Sequence, residues 1–328
     1  MTSLSVIVPL YNEQESLVEF STLLFDVLRG EKLKKCFDKE FRFEVIMIDD
    51  GSTDGSGSMI RTMIQEKPEL RLISFRRNYG KTEALSAGFR AASGEVVVTI
   101  DADMQDDPQE IVKLVMKIHE GFDLASGWKQ ERHDPISKTL PSKLFNLTTR
   151  IFSGIPLHDF NCGLKAYSRE LAGSLDLHGE MHRYIPVLAQ WKGFRITEIP
   201  VRHHARKYGK SKFGTSRFLA GLFDFLSVMF ITRYLKRPMH FFGMMGLISF
   251  FSGLCISLYI TLDKILNLRP VSNRPILFLG ILLIILGVQF FSTGLLGEML
   301  STRPSRNGGW SIRETVNIPE DIAEKLTE

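Results

Sequence analysis

Apolar residues along the first two hundred positions fall into short continuous runs separated by longer stretches of helical period. Strand-like runs occupy Leu4–Pro9, Phe43–Ile48, Leu70–Phe75, Val96–Ile100 and Leu124–Gly127. Between them, Glu13–Leu28, Gly55–Gln65, Lys81–Ala92 and Pro108–Glu120 place apolar residues on one helical face. Strands that are apolar throughout and alternate with helices predict a mostly parallel sheet covered on both faces. This is an α/β domain over residues 1–205, with ligands expected beyond the carboxyl ends of the strands.

The pattern changes after residue 237. No charged side chain occurs from Met239 through Leu262, nor from Ile276 through Gly297. Each stretch meets the roughly 20 residues that a helix needs to cross a bilayer. The short linker contains Pro270 and Pro275, so residues 238–298 read as a transmembrane hairpin with both chain ends on one side. Arg233, Lys236, Arg237, Arg303 and Arg306 flank the outer ends, against Lys264, Arg269 and Arg274 in the linker. That bias predicts that the α/β domain and both termini lie in the cytoplasm. The intervening residues 206–237 begin basic, with Lys207, Lys210, Lys212 and Arg217, and continue as the apolar Phe218–Ile231, the composition of an interfacial helix. Span glycines, among them Gly246, Gly253, Gly280 and Gly287, would allow close helix approach, and Gln289 would face another helix in the hairpin or in a homo-oligomer. Residues 299–328 read as a separate cytoplasmic tail with no assignable chemistry.

The net charge of +4 is too mild for a nucleic-acid partner. Cys36, Cys162 and Cys255 form no paired motif and read as inert thiols of a reduced compartment. The N-terminus enters a strand pattern at once, which predicts no cleaved signal peptide.

Three polar clusters stand where strands end: PLYNE (9–13), DDGSTDGS (49–56) and DADMQDDP (101–108). Their recurrence at successive strand ends predicts one crevice. If extended geometry persists past VVVTI, Asp101 and Asp103 point to the same side, and their mutual repulsion calls for a cation or a proton between them. Mg²⁺ or Mn²⁺ suits carboxylates shared with a diphosphate, and Gln105 could add a carbonyl oxygen. Asp106 and Asp107 precede Pro108 and are expected to start the next helix. Asp50 and Glu13 can accept hydrogen bonds from a nucleoside, Tyr11 can stack on a base, and Lys81 with Arg76 and Arg77 suits a diphosphate. Gly51 would let the backbone turn closely. No P-loop or dinucleotide fingerprint is present.

PLYNE, DDGSTDGS, RNYGKTEALSAGF, DADMQDDP, HDFNCGLKAY and KYGKSKF before two apolar spans together resemble glycosyltransferase family 2. The nearer likeness is to its polyprenyl-phosphate branch: dolichol-phosphate mannosyltransferases, bactoprenol glucosyltransferases and undecaprenyl-phosphate aminoarabinose transferases. The resemblance implies a GT-A fold, a nucleotide-sugar donor, a divalent metal and a polyprenyl phosphate acceptor in the bilayer, undecaprenyl or dolichyl. It implies that Pro9, Tyr11, Glu13 and Asp50 hold the nucleoside, that Asp101 touches ribose or metal, and that Asp103 and Gln105 ligate the metal. Asp159 occupies the acidic slot near the reacting centre. Arg183, Lys210 and Lys212 would face phosphates, with Arg132 and Lys143 in the acceptor-loop region. MHRYIP stands where processive relatives carry QxxRW, which implies one sugar per cycle. A tethered transferase with a non-lipid acceptor, or a non-enzymatic membrane scaffold or flippase accessory, are the rival readings.

Overall fold

A computed structural model describes residues 3–37, 40–130, 136–177, 179, 181–205, 207, 238–267, 275–301 and 310–327. The expected interfacial helix and the greater part of the basic segment lie outside these residues. The chain forms two compact units, one of Met1–Phe225 with Ser305–Glu328 and one of Leu226–Pro304.

In the first unit, the elements run β1 (Leu4–Leu10), α1 (Gln14–Arg29), α2 (Glu31–Lys34), β2 (Phe43–Asp49), α3 (Ser56–Glu66), β3 (Leu70–Phe75), α4 (Lys81–Ala91) and β4 (Val96–Thr99). A 3-10 turn at Pro108–Glu110 leads into α5 (Ile111–His119), followed by β5 (Leu124–Trp128), α6 (Ile136–Ser153), β6 (Lys165–Ser168), α7 (Arg169–Ser174), α8 (Ile185–Trp191) and β7 (Ile196–Pro200). The hairpin unit holds α9 (Pro238–Asn267) and α10 (Pro275–Ser301); the chain then adds β8 (Ile312–Val316) and α11 (Glu320–Thr327) to the first unit.

The eight strands form one sheet in the order β7-β5-β6-β4-β1-β2-β3-β8. Neighbours β4, β1, β2 and β3 are parallel, as are β5 and β7, whereas β6 runs antiparallel between β4 and β5. Side chains alternate across the sheet: Val6, Val8, Val45 and Met47 face a layer with Leu17, Phe20 and Leu24 of α1. Ile7, Ile46 and Ile48 face the other layer, with Ala84, Leu85 and Ala87 of α4. Helix α4 lies so close that a Cβ on Gly88 would sit 2.4 Å from Ile7 Cγ2. This two-sided burial is why the strands lack polar alternation.

Three strands, β6, β7 and β8, lie outside the pattern-based expectation. The segment expected as a separate tail supplies β8, antiparallel to β3, with Arg61 paired to Glu314 and Trp310 stacked on Phe75. The short β6 was not anticipated, and it matters for the site. Because β6 is antiparallel, its entry loop, residues 159–163, lies at the same rim as the exits of β1, β2, β4, β5 and β7.

In the hairpin unit, α9 and α10 meet along glycines. A Cβ on Gly253 would fall 2.5 Å from the Gly280 carbonyl oxygen, and one on Gly287 would fall 2.7 Å from Phe250 N. Outward residues are apolar and exposed, Leu266 by 75 % and Phe278 by 74 %. The two helices are long and apolar enough to cross a membrane. Gln289 is exposed, so its amide does not lie in the interface between α9 and α10.

Candidate active site

The exits of β1 and β2 are stitched to each other by small polar side chains. Asn12, with φ 53°, accepts at Oδ1 from Thr53 N (2.8 Å), and its own N–H donates to Ser52 Oγ (2.9 Å). Glu13 N donates to Ser56 Oγ and Gln14 N to Asp54 Oδ2. The serines and Asp54 of DDGSTDGS therefore fix the PLYNE loop, leaving Pro9, Tyr11 and Glu13 half-buried at the rim.

Asp50 is buried, and its two oxygens accept from Tyr79 N (2.7 Å) and Gly80 N (2.9 Å). Burial raises its pKa despite these two donors. It thus shapes the loop entering α4, and any nucleoside contact uses its remaining lone pairs. Gly51 serves the same arrangement: at φ 73°, a Cβ there would lie 2.4 Å from the Arg77 backbone.

Lys81, the first residue of α4, reaches Asp101 with Nζ at 2.6 Å from Oδ1 and 2.7 Å from Oδ2. Opposite, Gly163 is so close that a Cβ would sit 2.3 Å from Asp101 Oδ2. The expected extended backbone does not continue from Asp101 to Asp103. Regular strand geometry ends at Thr99, and a turn begins at Ala102 with Met104 at φ 62°. Asp103 Oδ1 instead accepts from Gln105 N (3.2 Å) within that turn. The charge on Asp101 is balanced by Lys81. Among the described residues no group of three or more His, Cys, Asp or Glu is arranged to hold a metal.

The second half of DADMQDDP divides differently from expectation. Asp107 caps, accepting from Gln109 N (2.9 Å) at the 3-10 turn. Asp106 does not cap. Its side chain is fully buried, 2.7 Å from Lys129 Nζ and 3.7 Å from His203 Nδ1. Burial would raise this carboxyl, but Lys129 and His203 outweigh it and hold the pKa well below the usual carboxylate range.

Asp159 is buried and accepts from Asn161 N (3.1 Å), so it caps the turn leading to Cys162 and Gly163. Thr99 Oγ1 donates to Gly163 O (2.8 Å), tying the β4 exit to this loop. Beneath it, the buried Lys165 donates to Phe160 O (3.3 Å) and to Cys162 O. Burial lowers the Lys165 pKa and pushes the Cys162 thiol up to about 12, so Cys162 is an inert thiol. His182 Nδ1 lies 2.7 Å from Thr82 Oγ1, in a small cavity also lined by Lys81, Asn161, Lys165 and Tyr167. Burial, then Lys81, Arg183 and Lys165, bring its pKa down to about 2, so the ring is neutral at physiological pH.

Lys165 and His182 were missed as site residues, although they lie within the quoted stretches HDFNCGLKAY and MHRYIP. Arg183 is half-buried next to His182, and Lys143 is exposed on α6. Arg132, Lys210 and Lys212 lie outside the described residues. The rim therefore gathers, at the ends of β1, β2, β3, β4 and β6, polar groups able to meet a nucleoside, cations able to meet phosphates, and several carboxylates.

The signature described as Glycosyl transferase family 2 matches residues 5–175, the segment that carries all three clusters and the 159–163 loop. The chain belongs to glycosyltransferase family 2. Its α/β unit is the family's GT-A fold, and about nine-tenths of the chain, more than that unit alone, is shared with relatives. It is 37 % identical over 303 residues to a dodecaprenyl-phosphate galacturonate synthase of Rhizobium johnstonii, covering 91 % of this chain and 87 % of the relative. It is 33 % identical over 298 residues to an undecaprenyl-phosphate 4-deoxy-4-formamido-L-arabinose transferase of Salmonella choleraesuis, covering 90 % and 87 %. Among solved structures, a Mycobacterium tuberculosis glucosyl-3-phosphoglycerate synthase in complex with Mn²⁺, UDP and glucosyl-3-phosphoglycerate shares the fold. There the TM-score is 0.51 at 20 % identity, covering 70 % of this transferase and 80 % of that chain. In a family-2 transferase with these strand ends, the crevice described above is the candidate active site.

Proposed function

We propose that this transferase moves one sugar, with inversion, from a nucleoside-diphosphate sugar to a polyprenyl phosphate at the cytoplasmic surface of the inner membrane. The observation that carries the reading is the joining, in one chain, of a GT-A crevice with an exposed apolar hairpin, across a length shared with two relatives named for prenyl-phosphate acceptors. A soluble acceptor would leave the hairpin and the basic residues 202–217 without a role, and a scaffold would leave the crevice idle.

In the proposed site Tyr11, Glu13 and the free lone pairs of Asp50 receive the nucleoside. Lys81 neutralises Asp101 and lies near the incoming diphosphate. Asp103 and Gln105 are half-buried oxygen donors on a turn, a set that fits Mg²⁺ or Mn²⁺ when a diphosphate completes the shell. Such a cation, when bound, offsets the charge that grows on the leaving diphosphate. The acceptor needs little help, because a phosphate monoester with a second pKa near ~6 is largely a dianion at neutral pH. Asp159, fixed by the Asn161 N–H, accordingly orients the acceptor or the metal rather than removing a proton. Arg183, with Arg132, Lys143, Lys210 and Lys212, supplies positive charge toward phosphates. Hairpin and basic segment hold the crevice at the surface where the acceptor diffuses, which lowers the entropic cost of encounter. The exposed Gln289 would pair within a homo-oligomer.

The test is incubation of the membrane protein with Mg²⁺ or Mn²⁺, polyprenyl phosphate and a panel of labelled UDP- and GDP-sugars. Label should enter the organic phase with one donor, and its absence under every combination would refute the assignment.

A further inference from the structure

We propose that Asp106 is a positioning residue that pins the turn carrying Asp103 and Gln105 to the exits of β5 and β7. Asp106 has no side-chain exposure, His203 has 2 % and Lys129 has 15 %, so the three form a buried polar node. They come from three separate connections, after β4, after β5 and after β7. The main chain adds two further ties. Asp106 and His203 form an antiparallel bridge, and His204 N–H donates to the Gln105 carbonyl at 2.8 Å. Arg202 and His204 approach Asp107 only at 3.9 and 3.8 Å, from exposed positions, so the ties that matter are those to Asp106 and Gln105.

Stability alone is a poor reason for this arrangement. Burying an ion pair costs several kcal/mol of desolvation per ion, and apolar replacements of a whole pair are often neutral or better. What a buried pair supplies is registry, because a carboxylate so enclosed tolerates one position only. Here the register fixed is that of Gln105, whose neighbour is held by side chain while its own carbonyl is held by His204. In sequence, the two anchoring connections lead on toward Arg132 and into the basic residues 202–217. This inference rests on the proposed role of Asp103 and Gln105 at a cation shared with the donor diphosphate.

The test uses the full-length chain in detergent and compares the parent, Asp106→Asn, the double variant Asp106→Asn/Lys129→Met, and Asp103→Asn. The double variant removes both buried charges, so it stays informative where the single variant fails to fold. Mn²⁺ binding in the presence of UDP or GDP is read by electron paramagnetic resonance, alongside thermal unfolding and kcat against donor KM. The folded double variant should bind Mn²⁺ about 10- to 100-fold more weakly, the range seen when partners of metal ligands are removed. Its kcat should fall with it, while its melting temperature stays near the parent's. Parental Mn²⁺ binding and turnover in the double variant would overturn the proposal and leave the pair a stability device. Failure of the double variant to fold would overturn it equally. Asp103→Asn separates the two levels: loss of Mn²⁺ there with none in the double variant refutes the node alone, whereas parental binding in Asp103→Asn refutes the underlying site.

Discussion

His182 offers the sharpest physical test of the electrostatics beside Lys81. Its ring takes one hydrogen bond from or to Thr82 and is pressed by burial and by Lys81, Arg183 and Lys165 toward a pKa of about 2, against 6.5 in the unfolded chain. A base with a depressed folded pKa binds its proton more readily when unfolded. Its contribution to stability is therefore complete above pH 6.5 and is lost as pH falls toward 2. Between pH 7 and pH 5 the folded ring stays neutral while nearly all unfolded chains protonate, which removes about 2 kcal/mol. For a unit of this size that corresponds to about 4–8 °C in melting temperature. The matched variant is His182→Asn, whose amide can reproduce the Nδ1 contact to Thr82 without titrating. Melting of parent and variant would be followed by intrinsic fluorescence at both pH values. Any loss of ring packing in the variant enters at both pH values and cancels in the difference. The parent should lose about 4–8 °C more than the variant on acidification. Parallel losses would show that His182 is not enclosed by cations as described.

Three further outcomes follow from the same geometry. Asp103→Asn should lower sugar transfer by about 10² or more, as when one transition-state charge stabiliser is removed, whereas Asp107→Ala should cost about 1 kcal/mol as a lost cap and leave turnover near parental. Both are read by product formation alongside melting. Gly163→Ala would drive a methyl to within 2.3 Å of Asp101 Oδ2 and displace it from Lys81. Transfer should then fall on the order of 10²-fold, since misplacing one reacting group by about 1 Å is that costly, and unchanged kinetics would show Asp101 is not fixed there. Gly253→Ile would collide with the Gly280 carbonyl 2.5 Å away and should lower hairpin stability in detergent by about 1–3 kcal/mol, while Leu258→Ala on the outward face should not.

The sheet was legible wherever periodicity is local. The five expected strands end within one or two residues of β1 to β5, and Gly51 adopts the turn its place after DD implied. Strand β6 escaped because KAYS is short and opens on a buried lysine, a residue type that ordinarily marks solvent. β8 escaped because IRETV alternates like an exposed segment and finds its partner β3 more than two hundred positions back, across the hairpin. The candidate site was readable as a set of clusters but not as a set of contacts. The Lys81–Asp101 pair and the Asp106–Lys129–His203 node join residues 20 to about 100 positions apart, and no local pattern encodes them. The extended geometry that would align Asp101 with Asp103 depends on the backbone staying in the β region, and the turn that begins at Ala102 ends it. Asp107 was read correctly as a cap because capping is a local interaction.

The most direct test of the central claim is the mass of the lipid product and the identity of the released nucleotide. Purified chain, polyprenyl phosphate, Mn²⁺ and the donor selected by the panel should yield a lipid carrying one sugar on one phosphate, with nucleoside diphosphate released in equal amount. A lipid pyrophosphate with nucleoside monophosphate release, a product carrying several sugars, or an unmodified lipid would contradict the account.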